Sequence, residues 1–233
     1  LAGLCTHFAS ADSPEVEVTH EALALFEGCL DGARAAGFNG LVNHAANSAA
    51  SVRFPEARLD AVRPGLALYG AMPSTHVGVP GLEAALRLTT RVMAIHEIPM
   101  GATVSYGGTW RAPRPSRIAT LPIGYADGYP RHVRDAQVLV RGRRVPVVGA
   151  VCMDMLMVDV TDLPGVKVGD LVTLIGDDAE KGVSIGVDEL ARWAGTVSYE
   201  ILCGISKRVP RALKDAAVTS ATTPALAGGR ASP

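Results

Sequence analysis

The apolar pattern of this chain changes its period once, near residue 75, and that change limits the fold more than any other feature. Before it, Leu23, Phe26, Leu30 and Ala33 recur at three- and four-residue spacing between Thr19 and Ala36, which predicts an amphipathic helix. Gly37 follows as the residue free to take a positive φ at the helix end. Around this helix, Gly3–Phe8, Leu41–His44 and Leu66–Tyr69 read as short buried strands, with a short helix over Asn47–Val52. Alternating strands and helices predict a parallel α/β sheet or barrel. After Met72-Pro-Ser-Thr75 the apolar runs become short, β-branched and separated by Gly, Pro or Asp. Val92–Ile98, Ile118–Ile123, Val138–Val140, Val145–Val148, Met155–Val160 and Leu171–Ile175 predict an antiparallel sandwich or barrel. One helix, Val187–Ala194, interrupts them and is closed by Gly195.

The expected fold is therefore α/β followed by β. Residues 1–80 form the last strands and helices of a (β/α)8 TIM-type barrel, 81–212 a mostly antiparallel β domain, and 213–233 a disordered tail rich in Ala, Thr, Gly, Ser and Pro. A complete barrel takes ~250 residues. Only about three βα units stand here, so at ~30 residues per unit roughly 150 residues are expected upstream. The chain also starts at Leu1, without an initiator methionine and inside an apolar run, which fits a truncated sequence.

Composition excludes several classes. The sequence is 48% hydrophobic and 19% charged, which rules out a disordered chain. Its 22 basic and 23 acidic side chains nearly cancel, so it lacks the basic surplus of a nucleic-acid or anionic-membrane binder. No apolar run approaches the ~20 residues of a membrane span. The four cysteines, Cys5, Cys29, Cys152 and Cys203, form no C-x-x-C pair, so neither a zinc site nor a disulfide framework is expected, and a reducing, cytoplasmic compartment fits. His20, His76 and His96 belong to no motif and read as surface or packing residues. The 18 Arg against 4 Lys read as a bias of composition, because the net charge is only −1.

Several strings carry chemistry. In Asn43-His-Ala-Ala-Asn47-Ser48, a helix start follows a strand. Its side chains serve either as a simple N-cap or as part of an anion site. Arg63-Pro-Gly65-Leu66 adds a cation and a backbone free to approach a ligand. Together the two strings outline a site for a phosphate-bearing cofactor. Val104-Ser-Tyr106-Gly-Gly sets a tyrosine among small residues, which suits an exposed hydroxyl. Ile123-Gly-Tyr125-Ala-Asp127-Gly-Tyr129-Pro-Arg131 is a Gly-rich turn with two phenols, an acid and a cation. Gly149-Ala-Val-Cys152-Met153-Asp154-Met155 places an acid in an apolar run, where a buried carboxylate needs a partner. Tyr199-Glu-Ile-Leu-Cys203-Gly-Ile-Ser206 and Arg208-Val-Pro-Arg211 complete the set.

In this order, THFASAD, HAANSAA, VRPGLALYG, VSYGGTW, IGYADGYPR, GAVCMDM and SYEILCGISKRVPR resemble the motifs of bacterial alanine racemases. The resemblance runs from about Leu1 to Arg211. It implies a homodimeric enzyme with a pyridoxal 5′-phosphate-binding barrel and a β domain, interconverting L- and D-alanine to supply peptidoglycan. It further implies that Arg63 faces the pyridine nitrogen, supported by His7. Ser48, the N–H groups of Gly65 and Leu66, and Tyr199 would hold the phosphate, with Asn47 positioning that wall. Tyr106 would be one of two catalytic bases, acting in the partner's active site. Met153 would bind the substrate carboxylate through its N–H. Tyr125 would narrow the entrance with Tyr199, and Arg131 and Asp154 would line or brace it. No metal is implied.

Racemisation removes a proton from one face of Cα and returns one to the other, so two acid–base groups must flank the substrate. A tyrosine with an ordinary pKa near 10 needs positive charge nearby to act as one of them at neutral pH. The family's other base is a lysine after the first barrel strand, which also anchors the cofactor. Here the lysines are Lys167, Lys181, Lys207 and Lys214, none in that context. This polypeptide alone is thus expected not to racemise alanine. Two alternatives stand beside this reading: a broad-specificity amino acid racemase of the same fold, and a non-catalytic binding remnant.

Overall fold

The computed structural model describes residues 1–71, 74, 76–79, 81–178 and 181–213. The expected tail lies outside the described residues from 214 onward. Helix α1 (Glu17–Ala35) turns Leu23, Phe26 and Leu30 inward, as the sequence spacing predicts, and Gly37 ends it at φ +89°. Three segments of this N-terminal part meet side by side through single parallel bridges, Cys5 to His44 and His44 to Ala61. Gly3 permits the closest approach, because a Cβ there would stand 2.0 Å from the Val42 carbonyl oxygen. Helix α2 (Ser48–Arg53) and a 3₁₀ turn (Pro55–Arg58) follow the middle segment. Their core is small and alanine-rich: Ala45, Ala46, Ala49 and Ala50 pack with Phe8, Phe26 and Phe54.

None of the three strands expected here forms in full: Gly3–Phe8 and Leu41–His44 are reduced to the single bridge residues Cys5 and His44, and the third is not extended at all. Leu66–Tyr69 is a 3₁₀ turn, and the third parallel segment lies earlier, at Ala61. Gly65 takes a right-handed helical conformation (φ −39°, ψ −64°), and Gly70 ends the turn at φ +74°. The Leu68 N–H donates to Pro64 O at 3.1 Å. A run of four apolar residues carries no period that separates a strand from a buried turn. Leu66 is nonetheless buried, within the larger core of the β domain.

That domain contains strands β1 (Leu88–Arg91), β2 (Ala94–Ile98), β3 (Thr103–Val104), β4 (Trp110–Arg111), β5 (Ser116–Leu121), β6 (Gln137–Val140), β7 (Arg143–Val148), β8 (Leu156–Asp159), β9 (Leu171–Asp178) and β10 (Val183–Ile185). The main sheet runs β1-β9-β6-β7-β8-β5-β2, with β10 also on β9. All its pairs are antiparallel. Its two end strands are consecutive in the chain. Val92 N–H donates to Asp170 O at 2.9 Å, while Met93 N–H donates to Thr120 O at 2.9 Å. The chain thus passes from one end of the sheet to the other, and the sheet curls back on itself with little free edge. Its interior is filled by Val92, Leu121, Leu156, Val158 and Leu174. Burial of each large aliphatic side chain contributes roughly 1.5–3 kcal/mol.

Helix α3 (Val187–Ala194) ends at Gly195 with φ +68°, as expected. A second helix, α4 (Ser198–Gly204), was not foreseen. Its seven residues are too few to show a clear 3.6-residue period, and Ile201 anchors it in the core.

Candidate functional site

Two groups of polar residues form, one in the N-terminal part and one at the rim of the β domain. The first centres on Arg63, just past the third parallel segment. Its guanidinium donates to Thr6 O at 2.7 Å, to Ala45 O at 3.1 Å and to His44 Nδ1 at 2.5 Å, and lies 3.5 Å from His7 Nδ1. Arginine has no lone pair to accept with, so His44 must accept at Nδ1 and carry its proton on Nε2. His44 holds Arg63 more closely than His7 does. The sequence reading passed over His44, whose only signal was its place at the end of the middle strand.

Next to this group, two helix starts converge. Asn47 caps α2 by accepting the Ala50 N–H at 3.0 Å, so its side chain serves the helix it precedes. Ser48 is buried, and its hydroxyl oxygen accepts the Ala67 N–H of the 3₁₀ turn at 3.2 Å. The Ser48 hydroxyl proton remains for an acceptor. Gly65 donates to Arg63 O at 3.0 Å, and a Cβ on Gly65 would meet nothing within 4 Å. The donor set is thus a fixed cation, a buried hydroxyl and backbone N–H groups at two helix starts, which is the chemistry that binds a phosphorylated aromatic base. Tyr199 opens α4 from the β domain. Burial raises its phenol above the ordinary value, and the nearby Asp12 carboxylate raises it further. Asp12 lies in the loop after the first parallel segment, so Tyr199 faces the N-terminal part.

The second group is a cleft of about 260 Å³ lined by Tyr106, Tyr125, Arg131, Val151, Cys152 and Met153. It brings together four residues singled out in the sequence from three separate strings. The turns are tied by backbone: Tyr125 N–H donates to Cys152 O at 3.1 Å and Ala126 N–H to Met153 O at 2.9 Å. Gly124 makes this possible, since a Cβ there would lie 2.3 Å from Cys152 O. Among the described residues the Met153 N–H has no acceptor, so it remains free for an anion. Tyr106 is 77% exposed at the tip of the β3–β4 hairpin, in keeping with the small residues around it.

One expectation needs correction. Asp154 is not buried in its apolar run; its side chain is 53% exposed. The chain bends there, between Cys152 and Met155, whose backbones pair at 2.8 Å, and Asp154 turns outward. It is not among the residues that line the cleft. Its partner is Arg208, which binds Asp154 at 2.6 Å and Asp127 at 2.8 Å. The buried acid is Asp127, which also accepts the Gly124 N–H at 2.9 Å. Arg208 and Asp127 had been read only as members of their strings, because nothing in the sequence pairs two charges 81 positions apart.

The expectations for the three orphan histidines agree with the structure where contacts exist. His20 packs edge-on against Phe54 and lies 3.2 Å from Glu56, and His96 is exposed on β2. No described helix is long and apolar enough to cross a membrane.

Comparison with known proteins gives a consistent result. The family described as alanine racemase, C-terminal domain, matches residues 85–213, and alanine racemase, N-terminal domain, matches residues 1–73. An alanine racemase from Halothermothrix orenii is 46% identical over 217 residues, 92% of this chain and 57% of that protein. One from Symbiobacterium thermophilum is 49% identical over 211 residues, 90% of this chain and 55% of that protein. The crystal structure of alanine racemase from Bacillus anthracis with bound L-Ala-P superposes with a TM-score of 0.85 at 40% identity, covering 92% of this chain and 55% of that one. The chain therefore spans about half the length of the relatives it matches. The fold is a short N-terminal racemase segment with helices, followed by the family's mostly antiparallel β domain. On this evidence the chain belongs to the alanine racemase family.

Proposed function

We propose that the chain is the C-terminal portion of a pyridoxal 5′-phosphate-dependent enzyme that interconverts L- and D-alanine for peptidoglycan in the cytoplasm. The observation that carries this reading is the grip of His44 on Arg63 beside the converging helix starts at Ser48. That donor set fits the cofactor, and the family uses it. When bound, the cofactor supplies the electron sink for cleavage of the substrate Cα–H bond.

Arg63 would hold the pyridine nitrogen. It keeps its own protons at any physiological pH, so full protonation of the ring is disfavoured. Ser48, the Leu66 N–H and Tyr199 would hold the phosphate, joined by the Gly65 N–H, which would share its donation with Arg63 O. Asn47 supports them by capping α2. In the second group, the free Met153 N–H would bind the substrate carboxylate, and Tyr125 and Arg131 would narrow and line the approach to it. Tyr106 would move a proton at Cα on one face, reaching into a second copy of the chain. Its exposure at a hairpin tip supports that role in a homodimer. The domain boundary is placed near residue 80, supported by family matches that end at 73 and resume at 85.

The opposite face of Cα needs a second base. The described part offers no lysine before Lys167, so the purified chain, supplied with pyridoxal phosphate, is expected to show no alanine racemisation in a D-amino-acid-oxidase assay. Turnover above background overturns that expectation. The coding DNA just upstream of the Leu1 codon tests the wider reading. An in-frame extension of ~150 residues with a lysine after its first strand is the expected result. A stop or start codon directly before Leu1 leaves a non-catalytic remnant instead.

A further inference from the structure

We infer that Ser105 is a positioning residue whose hydroxyl sets the direction of Tyr106; the inference rests on the reading of Tyr106 as the residue that acts at Cα. Ser105 has φ +65° and ψ −176°. This is a region that glycine occupies freely and that strains any residue with a Cβ. Such a conformation persists only where the surroundings hold it. Here the hold is local and identifiable. Ser105 Oγ donates to Ala150 O at 2.6 Å and stands 3.4 Å from Cys152 Sγ. Gly149 admits this contact, since a Cβ on it would stand 2.6 Å from Val104 O and 2.9 Å from Ser105 Cβ.

The hairpin is anchored on one side only. Val104 and Trp110 pack on Ile118 and Val148, and the Gly108 N–H closes the tip onto Ser105 O at 3.2 Å. Tyr106 is 77% exposed, so packing on its ring does little to fix it. Its direction is therefore inherited from the backbone of Ser105. The hydroxyl ties that backbone to the Ala150–Met153 turn, which carries the N–H proposed for the substrate carboxylate. One hydrogen bond thus sets the spacing between the proton-moving group and the carboxylate site.

The test compares Ser105→Gly and Ser105→Ala in the 233-residue chain. Both remove the hydroxyl, but only glycine relieves the strained φ. With ¹⁵N-tyrosine labelling the five tyrosines give five amide signals, and Tyr106→Phe assigns the one in question. In both variants the Tyr106 order parameter is expected to fall from about 0.85 to below about 0.6, with the other four unchanged. The Ser105→Gly chain should unfold at a temperature at or above the parent's. A Tyr106 amide that stays rigid in Ser105→Gly overturns the inference, because the hydroxyl would then not be what fixes that backbone. Should Ser105→Ala fail to fold, Ser105→Gly decides alone. The measurement needs neither cofactor nor substrate, so it stands apart from the test of Tyr106 as a base.

Discussion

The Ser48 hydroxyl oxygen accepts the Ala67 N–H at 3.2 Å, and so fixes the start of α2 against the start of the following 3₁₀ turn. One side chain thus joins two turns that stand 19 positions apart in the sequence.

The cap of α2 is the first point to test. Asn47→Ala removes the acceptor of the Ala50 N–H and should cost about 1 kcal/mol in urea unfolding of the N-terminal part. Asn47→Asp should stay within a few tenths of the parent. Equal stability of the alanine variant would show that the cap carries nothing.

Gly128 is the second. It has φ +100°, and a Cβ there would lie 2.2 Å from Gly204 O. Gly128→Ala combines backbone strain with a clash against backbone, about 2–5 kcal/mol in all. Gly169, at φ +92° with open space around it, is the control. Gly169→Ala should lose only about 1 kcal/mol. Similar melting temperatures for the two variants would count against the contact between the Gly128 turn and α4.

Tyr129 offers a test by pH. It is buried, its hydroxyl has no partner among the described residues, and burial pushes its phenol well above the ordinary value of 10. The unfolded chain ionises this phenol near pH 10 while the folded chain does not. Stability present below pH 10 is therefore lost as pH rises beyond it. Tyr129→Phe should unfold at a higher alkaline midpoint and gain up to about 1–2 kcal/mol at pH 7. Unchanged alkaline unfolding would mean that the hydroxyl finds a partner.

The Asp127 carboxylate links the Gly124 N–H to Arg208. Asp127→Ala leaves that N–H unpaired in a buried turn, at about 1–3 kcal/mol. Asp127→Asn keeps the acceptor and should lose less. Chemical denaturation of both variants gives the ranking, and an equal loss would assign the effect to the charge instead.

What the sequence disclosed follows from how far each signal reaches. The α1 face was legible because Leu23, Phe26 and Leu30 repeat within one helix, and most strands because β-branched runs stand between Gly, Pro and Asp. Leu66–Tyr69 was misread because four apolar residues hold no period, and α4 was missed for a similar shortness. Tyr106, Tyr125, Arg131 and Met153 drew attention because three unusual strings carried them, and the structure sets all four around one cleft. His44 and the Arg208 bridge stayed hidden: each acts through a partner remote in sequence, and no local pattern announces a long-range pair. Asp154 was placed inside because its neighbours are apolar, whereas the bend that turns it out is a property of the backbone.

The curled sheet has a consequence for the order in which a ribosome can build it. Thr89 pairs with Thr173, and Thr90 with Val172, so β1 waits for more than eighty further residues before its partner exists. Loop closure on that scale slows folding. The parallel segments are thus made well before the sheet that buries Leu66 is complete.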